Sequence, residues 1–547
     1  MIRRSIPVSR FESGLILAIK VSVLIPLLIF AGLPVVYNNL QLVDTIFLLE
    51  VGWRLFQGSI QTIDFNDFYG EFVGQYIDWA FGLFGVTIKA LDYAVLMLFA
   101  TAVIAAALVC FKRSGRLAFW VLIFLIAGLV LTRMPLEMGQ SVSEIISGNS
   151  FVYNRFATAL ALVVIVFTLI QSPDVIWETV GAIVCGALLV FLALTKPTFV
   201  IFLPFALLAL LVQLRLRAVL FCLIGIGAAL LLIDPWAQKF LGSLHYAVAR
   251  GDEVHGTSGL IKKGVRLLLA QPVALTISVV ALILVMKDNF RPFISSAFAA
   301  ALLMAGAVGM ATTMGGEYVV GQQMLPFMAA LPLVFFERAR RMNAATSPQL
   351  KLLMLILAGS FTLPHLANTV AAGAEALRNR DLVLFDDGPL AGFVALDNKF
   401  PLRQLLLSGS GSIDQLAAEA ATRLQAGEVR NEGIKYIMLA DGIAALNRIP
   451  DITTLGVIAN GEFAFDYAVG SPPVLHYPVW QGSVTSTPEL APDIPLTAEA
   501  DLVLLMRYGL DDSGIRVKMA EAFVLCQQTN LWTIFARKSS EIQGCRD

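Results

Sequence analysis

Three carboxylates follow the first apolar segment of the chain and could accept a proton from a substrate. Asp44 lies about eight residues beyond that segment, and Asp64 and Asp67 belong to a second acidic run that follows closely. Charged residues make up only 14% of the 547 residues, so the carboxylates are concentrated here. A carboxylate within hydrogen-bond reach of a hydroxyl group can act as its general base. Asp44 is therefore the candidate catalytic base, and Asp64 and Asp67 are candidate auxiliaries.

Asp44 also opens a run with helical spacing, which gives its carboxylate an alternative role. Glu50, Arg54 and Gln57 recur on one face of this run, and apolar side chains recur on the other. The apolar stripe consists of Phe47, Leu48, Val51, Leu55 and Phe56. We predict a helix in the membrane surface, with Asp44 at its N-terminus, where a carboxylate can cap free backbone N–H groups. Glu50 and Arg54 are predicted to form a surface ion pair on this helix.

Cationic side chains beside apolar segments form a second group of candidates. Lys196 lies in a tight turn, Thr195-Lys196-Pro197, between two apolar segments, and Arg155 opens another segment within Tyr153-Asn154-Arg155. A lysine this close to lipid is costly without a partner or a role, and the alternative is that its amine extends toward the outer headgroups. A point charge also suits a phosphate group. Lys196, with Arg155 or Arg133, is therefore predicted to bind phosphate.

The other candidate residues carry weaker signals. Tyr69 lies in the second acidic run, and Glu317 follows two glycines in a predicted outer loop. Both are candidate substrate contacts, and the alternative for Glu317 is a solvated loop acid. His245 and His255 lack a compact metal-ligand spacing, so no metal site is assigned. Whether the protein requires a divalent cation is left open. The sequence contains no nucleotide-binding loop, dinucleotide-binding glycine motif or nucleophile elbow.

The elements that must position these residues are apolar segments long enough to cross a membrane. The chain is 57% hydrophobic and its mean hydropathy is +0.77, and about 20 apolar residues span a bilayer as a helix. We predict about eleven transmembrane helices. They cover residues 15–36, 91–111, 117–131, 156–170, 176–194, 199–214, 218–233, 273–286, 293–310, 324–336 and 352–366. A further apolar segment, 72–86, is predicted either to re-enter the membrane or to lie along its surface.

Lysine and arginine in the short connections predict the orientation of these helices. They all fall on one side if the spans alternate, and positive charge marks the cytoplasmic side. These residues are Arg3, Arg4, Arg10, Lys112, Arg113, Arg116, Arg215, Arg217, Lys287, Arg291, Arg338, Arg340, Arg341 and Lys351. The N-terminus is therefore predicted to be cytoplasmic and the first loop, 37–90, to lie outside. The net charge of the chain is −1, and its charged residues are segregated between the two sides of the membrane. No nucleic-acid partner is expected.

Composition changes near Thr369, which predicts a transmembrane domain at 1–368 and a mixed α/β domain outside the membrane at 369–547. Strand-like runs cover 382–385, 436–439, 474–477, 502–506 and 532–536, and helix-like runs cover 413–425 and 515–526. Cys526 and Cys545 lie in this outer domain, where a disulfide can form, and their pairing is left open. The fold class is an α-helical polytopic membrane protein with a C-terminal extracytoplasmic α/β domain.

The order of these parts resembles the GT-C superfamily of polytopic membrane glycosyltransferases, which includes the lipid A aminoarabinose transferases and the protein O-mannosyltransferases. In that superfamily the first outer loop carries an acidic catalytic residue, followed by a helix along the membrane surface. Asp44 falls at the matching position, and Lys196-Pro197 resembles the Lys-Pro turn of many bacterial members. Many members of the family have an Asp-Glu pair at this position, whereas this chain has Asp44-Thr45 and lacks the second carboxylate. A second carboxylate would have to come from Asp64 or Asp67. The resemblance covers residues 1–370 by layout and only 44–70 closely.

The resemblance implies an inverting transfer of a hexose or pentose from a polyprenyl-phosphate donor to an envelope glycan, lipid or protein. The reaction would take place on the outer face of a bacterial inner membrane, and the outer domain would help to choose the acceptor. The alternative is a polytopic transporter or flippase. Two features count against it: the charges gather at one surface, and the sequence shows no two-fold repeat. A third alternative is a non-catalytic assembly or sensor protein.

Overall fold

A computed structural model of the chain describes much of the first half of the sequence and most of the C-terminal domain. The described residues are 10–33, 36–37, 39–59, 71–110, 112–132, 152–232, 300–308, 333–334, 337, 348–378, 385, 388–391, 394–395, 412–428, 434–459, 463–474, 500–507, 521–540, 542–543 and 545. All structural statements below concern these residues.

The described part of the membrane region is helical. Its helices are α1 (Arg10–Gly32), α2 (Asn39–Phe56), α3 (Glu71–Phe84), α4 (Lys89–Cys110), α5 (Arg116–Val130), α6 (Val152–Leu169), α7 (Val175–Thr195), α8 (Phe202–Val212), α9 (Leu216–Leu232) and α10 (Pro348–Arg378), with a 3-10 turn at Pro197–Ile201 before α8. Four of them, α1, α4, α6 and α7, are long and apolar enough to cross a membrane, and α5, α8 and α9 are shorter apolar helices.

Eight of the predicted spans coincide with α1 and with α4 to α10, which confirms their helical character. Residues 300–308 are also helical and lie within the predicted span 293–310. The predicted span 273–286 and most of 324–336 lie outside the described residues, so the number eleven stays a prediction. Helix α10 continues to Arg378, which places the composition change near Thr369 inside a helix.

Helix α6 is the centre of the membrane region, because all of its residues are buried. Helices α4, α5, α7 and α8 pack around it. Helix α7 begins where the Asp174 side chain accepts hydrogen bonds from the backbone N–H groups of Ile176 and Trp177, 2.9 and 3.3 Å away. It ends before Pro197, which has no N–H to continue the helical ladder. The chain therefore turns at Lys196.

At the other end of α6 and α7, two basic residues predicted to share one side of the membrane do meet. Arg113 follows α4 and Arg215 precedes α9, and both guanidinium groups bind the buried carboxylate of Glu178 on α7. Arg113 Nη2 lies 2.7 Å from Glu178 Oε2, and Arg215 Nε lies 3.1 Å from Oε1. The structure thus confirms that these two connections lie together; which side of the membrane they face stays a prediction.

Segment 72–86 forms α3, which packs against α2 and α4. Glycines allow α2 and α3 to approach closely at two points. A Cβ atom on Gly52 would lie 2.4 Å from Ile77 Cγ2, and one on Gly74 would lie 2.5 Å from Val51 Cγ1. Glycine is therefore required at both positions for this packing.

The C-terminal domain contains a four-stranded sheet and several helices. Strands β3 (Val457–Ala459), β4 (Leu502–Met506), β5 (Phe523–Gln528) and β6 (Trp532–Arg537) are arranged in the order β3-β4-β6-β5, with β3 and β4 parallel and the other pairs antiparallel. The helices are α11 (Ile413–Gln425), α12 (Lys435–Leu446) and α13 (Phe465–Val469). Cys526 and Cys545 form a disulfide.

The predictions for this domain were partly wrong. The helix at 413–425 and the strands at 502–506 and 532–536 are confirmed. Residues 436–439 lie in α12 and are not a strand, because a short apolar run cannot distinguish a buried helix from a strand. The predicted helix at 515–526 is a strand from Phe523 onward, where cross-strand pairing with β6 overrides local preference.

A short parallel pairing joins the two parts of the chain. Strand β1 (Val36–Tyr37) follows α1, and its partner β2 (Val394–Ala395) lies in the C-terminal region. The backbone N–H of Ile88 also donates to the carbonyl of Pro389 over 2.8 Å. The C-terminal domain therefore rests against the loop that carries α2 and α3.

Candidate functional site

Lys196 and Arg155 lie at one end of the helices around α6, at the opposite end from Glu178. Lys196 follows the last residue of α7, and Arg155 lies in the first turn of α6. The end of α5 is also here, since Arg155 Nη1 donates to the backbone carbonyl of Thr132 at 3.3 Å. Three helix ends thus bring the predicted cations into one buried region.

Lys196 is directed into the protein. Only 8% of the residue is exposed, its amine donates to Asn154 Oδ1, and its Nζ lies 5.6 Å from the centroid of the Tyr153 ring. The alternative that Lys196 extends toward the headgroups is therefore wrong, because its amine is held by α6. The prediction that this lysine has a partner is confirmed, and the partner comes from the Tyr153-Asn154-Arg155 sequence.

Arg155 is buried to 2% exposure and is only partly hydrogen-bonded. Its Nε and Nη2 atoms, and the Nδ2 atom of the neighbouring Asn154, have no hydrogen-bond partner within the described part of the chain. A buried donor left unsatisfied costs about 1–3 kcal/mol, and more for a charged group. Donors of a charged guanidinium form strong hydrogen bonds with anionic acceptors, so an anion is the kind of partner that would satisfy them.

His365 lies on α10 one turn before Thr369, and it was not assigned a role from the sequence. Its Nδ1 is 2.7 Å from the carbonyl oxygen of Phe361, and its ring is 4.5 Å from the Phe361 ring. Thr369 donates from the same helix to the carbonyl of Leu131 over 2.8 Å, which brings α10 to the end of α5. No sequence signal places α10 at the end of α5, because this contact depends on helix packing.

Helix α3, which belongs to the predicted first outer loop, reaches the same helix ends through aromatic contacts. The Phe72 ring of α3 stacks on Phe191 of α7 at 4.7 Å and on Phe156 of α6 at 6.2 Å. Phe156 follows Arg155 directly, and Phe191 lies about one turn before Lys196. Helix α3 therefore covers the cationic region from the side of the predicted acidic loop.

Asp44 belongs to α2, and the structure describes its backbone but not its side chain. Helix α2 begins at Asn39, so Asp44 is its sixth residue and not its N-terminal cap. The capping alternative is therefore wrong, because the helix starts earlier than the apolar stripe indicated. The other predicted site residues, Asp64, Asp67, Tyr69, Arg133 and Glu317, lie outside the described residues.

The prediction that Glu50 and Arg54 form a surface pair is wrong. Both are buried, with 6% and 2% exposure, and Arg54 Nη2 lies 2.7 Å from Glu50 Oε1. Arg54 also donates from Nη1 to the carbonyl of Val474 over 3.1 Å, and its Nη2 is 3.8 Å from Asp466 Oδ2. The pair is buried because the C-terminal domain covers this face of α2.

Within the described ranges, no group of three or more histidine, cysteine, aspartate or glutamate residues could hold a metal ion. The described residues around Lys196 and Arg155 offer positive charge and hydrogen-bond donors. They present a buried lysine, an arginine with unused donors and an amide donor, all at the end of membrane-crossing helices.

No protein-family model and no curated protein sequence matches this chain. Among solved structures, the chain is similar to ArnT from Cupriavidus metallidurans bound to undecaprenyl phosphate, with 13% identity, 97% of this chain and 99% of that chain covered, and a TM-score of 0.45. It is also similar to the archaeal oligosaccharyltransferase AglB from Archaeoglobus fulgidus in complex with an inhibitory peptide and a dolichol-phosphate, with 12% identity, 98% and 75% covered, and a TM-score of 0.42. At these levels of similarity, the function has to be inferred from the residues of this chain.

Proposed function

We propose that this protein is a GT-C membrane glycosyltransferase that transfers a sugar from a polyprenyl-phosphate donor to an acceptor in the cell envelope. The observation that carries the proposal is the buried guanidinium of Arg155, whose Nε and Nη2 lack partners among the described residues. It lies beside Asn154, which binds the amine of Lys196. A phosphate group offers several acceptor oxygens and a negative charge, and it would satisfy these donors together.

The position of these donors favours a phosphate that is attached to a lipid. Arg155 and Lys196 lie at the ends of α6 and α7, both of which are long and apolar enough to cross a membrane. Helix α3 lies next to them and exposes apolar side chains, with Leu83 69% exposed and Phe84 52% exposed. Such a surface can contact acyl or prenyl chains. A water-soluble anion would need neither feature.

The proposed reaction assigns a role to each end of the transfer. Asp44 accepts the proton of an acceptor hydroxyl, whose oxygen forms a bond to the anomeric carbon of the sugar. The bond from that carbon to the phosphate oxygen breaks, and the polyprenyl phosphate departs with the bonding electron pair. Lys196 and Arg155 stabilise the charge that develops on the phosphate. One displacement of this kind inverts the anomeric configuration.

The remaining candidates take auxiliary roles in this proposal. Asp64 or Asp67 supplies a second carboxylate, and Arg133 adds charge at the phosphate. Tyr69 and Glu317 contact the sugar or the acceptor. The N-terminus faces the cytoplasm, and residues 369–547 lie on the outer face of a bacterial inner membrane, where they contribute to the choice of a glycan, lipid or protein acceptor.

Envelope glycans from cells with and without this gene provide the direct test. We expect mass spectrometry to show one sugar modification that is lost with the gene, restored by the wild-type protein and not restored by Asp44→Asn. Arg217→Gln is a suitable control, because Arg217 lies in the first turn of α9 at the opposite end of the membrane region, where its guanidinium lies over the ring of Phe221. Full modification with Asp44→Asn would remove Asp44 from the mechanism.

The same variants distinguish a transporter or flippase. Reconstituted protein that moves a lipid-linked substrate across a vesicle membrane at the wild-type rate with Asp44→Asn, and yields no glycan product, would favour transport. We expect no such flux, because the charged residues that α6 and α7 carry lie near their ends.

A further inference from the structure

Helix α2 is attached to the C-terminal domain on both sides of Asp44. On the N-terminal side, β1 pairs with β2, with Tyr37 opposite Ala395. On the C-terminal side, Trp53 Nε1 donates to the carbonyl of Ser471 over 3.0 Å across 418 positions of sequence. Asp44 and Trp53 are separated by about 14 Å along the helix axis. The segment that carries Asp44 therefore lies between two connections to one domain.

The second connection is buried and continues through Arg54. Its guanidinium donates twice to Glu50 Oε1, at 3.0 and 2.7 Å, and once to the carbonyl of Val474. The Asp466 carboxylate lies 3.8 Å away. Hydrogen bonds of a buried charged group are directional and expensive to break. Rotation or sliding of α2 against the domain would break several of them at once.

The acceptor side of this connection is stiff. Ser471 and Val474 enclose Pro472 and Pro473, whose rings fix their φ angles. The two carbonyl oxygens are thus held at a set spacing, and they receive hydrogen bonds from consecutive residues of a helix. Ring contacts add to this attachment, since Tyr467 lies 6.4 Å from Trp53 and stacks on Phe81 of α3 at 5.8 Å.

We propose that the C-terminal domain holds α2 in the register that the reaction needs, and that Trp53 and Arg54 are positioning residues for Asp44. This inference rests on the proposed function. It gives the domain a role in catalysis that is separate from choosing the acceptor. Small displacements of a catalytic group are costly, because a shift of about 1 Å can reduce a rate by about a hundredfold.

A matched pair of tryptophan variants in the full-length protein tests the proposal. Trp53→Phe removes the indole hydrogen bond to Ser471. Trp532→Phe removes an equivalent one, from Trp532 Nε1 to the carbonyl of Met438 over 2.7 Å, which joins β6 to α12 inside the C-terminal domain. We expect Trp53→Phe to reduce glycan transfer by between about tenfold and about a hundredfold, with faster hydrogen–deuterium exchange in residues 39–56. Its affinity for undecaprenyl phosphate in nanodiscs should stay at the wild-type value. Trp532→Phe should leave transfer and α2 exchange unchanged.

Two results would overturn the positioning role. One is wild-type transfer by Trp53→Phe despite faster exchange in α2, and the other is an equal loss of transfer in both tryptophan variants. Arg54→Lys, which keeps the charge and loses the planar fork of donors, serves as the second variant if Trp53→Phe does not fold. If the wild-type protein itself transfers no sugar, the proposed function fails. The exchange data then decide separately whether the domain holds α2.

Discussion

Lys196 donates a hydrogen bond from its amine to the side-chain oxygen of Asn154, which joins the end of α7 to the first turn of α6 across 42 positions of sequence. Because the amide oxygen accepts this bond, the amide nitrogen is left as a donor. That nitrogen and two nitrogens of Arg155 have no partner within the part of the chain that the structure describes. The bond between Lys196 and Asn154 thus leaves the Asn154 nitrogen among the donors that we assign to the phosphate.

Replacement of Arg155 should weaken the binding of undecaprenyl phosphate without lowering the thermal stability of the protein. Arg155→Met removes the charged donors, and hydrogen bonds to charged groups contribute about 1.5–3 kcal/mol, so the affinity for undecaprenyl phosphate should fall by at least about tenfold. The thermal midpoint should stay unchanged or rise, because a buried, partly satisfied guanidinium is itself costly. Native mass spectrometry in nanodiscs and a thermal melt measure the two quantities. A lower midpoint with unchanged affinity would show that Arg155 is structural.

Gly52 should tolerate no side chain, whereas Gly82 should. Gly52→Ala places a Cβ atom 2.4 Å from Ile77 Cγ2, so α2 and α3 must move apart, at a cost of about 1–3 kcal/mol. Gly82 lies on α3, where a Cβ atom would have no described neighbour within 4 Å, and Gly82→Ala should stabilise the helix by about 0.5–1 kcal/mol. Thermal unfolding of both variants compares them directly. Equal midpoints would contradict the close packing of α2 on α3.

Loss of Glu178 should destabilise the membrane region strongly. Glu178→Ala leaves Arg113 and Arg215 buried without their shared carboxylate, which should cost about 3–5 kcal/mol. The thermal midpoint in detergent measures this effect. Arg217→Gln is the control, two residues from Arg215 in the first turn of α9, and should leave the midpoint unchanged. A wild-type midpoint for Glu178→Ala would mean that the two guanidinium groups find other partners.

Asp441 should make the C-terminal domain less stable as pH rises. Burial raises the pKa of its carboxyl group above the ordinary value of 3.8, and hydrogen bonds from Thr529 and the Leu531 N–H offset this only in part. A raised pKa in the folded state means that the protonated form is favoured by folding. The resulting stability is fully present below pH 3.8 and is lost as pH rises through the folded-state pKa.

Asp441→Asn isolates this effect, because the amide does not titrate. The thermal midpoint of the variant minus that of the wild-type protein should increase as pH rises above 3.8 and become constant above the folded-state pKa. Hydrogen–deuterium exchange in residues 435–446 provides a local readout of the same change. A midpoint difference that is independent of pH would show that the carboxyl group titrates normally.

The apolar segments could be located from the sequence because their length and composition are local properties. The prediction of 176–194 differs from α7, Val175–Thr195, by one residue at each end. Pro197 predicted the turn at Lys196 for the same reason, since a missing N–H ends a helix wherever it occurs. Even the partner of Lys196 came from a triplet, Tyr153-Asn154-Arg155, that the sequence had singled out.

The surroundings of α2 could not be predicted, because they depend on residues far along the chain. Helical spacing places Glu50 and Arg54 together, but it does not show whether that face meets water or protein. Local rules also placed the helix start at Asp44, although the helix begins at Asn39. Burial of the pair follows from Asp466 and Val474, which approach only when the C-terminal domain docks.

The sequence by itself therefore determined the apolar helices and the acids and cations that could do chemistry, since apolar length, proline and charge act locally. Only the tertiary structure decided which of these residues meet. It brought Arg155 to the end of α5, directed Lys196 inward onto Asn154, and converted a predicted surface pair at Glu50 and Arg54 into a buried connection between domains. Burial and unsatisfied donors are properties of packing, and packing is set by contacts that sequence spacing does not contain.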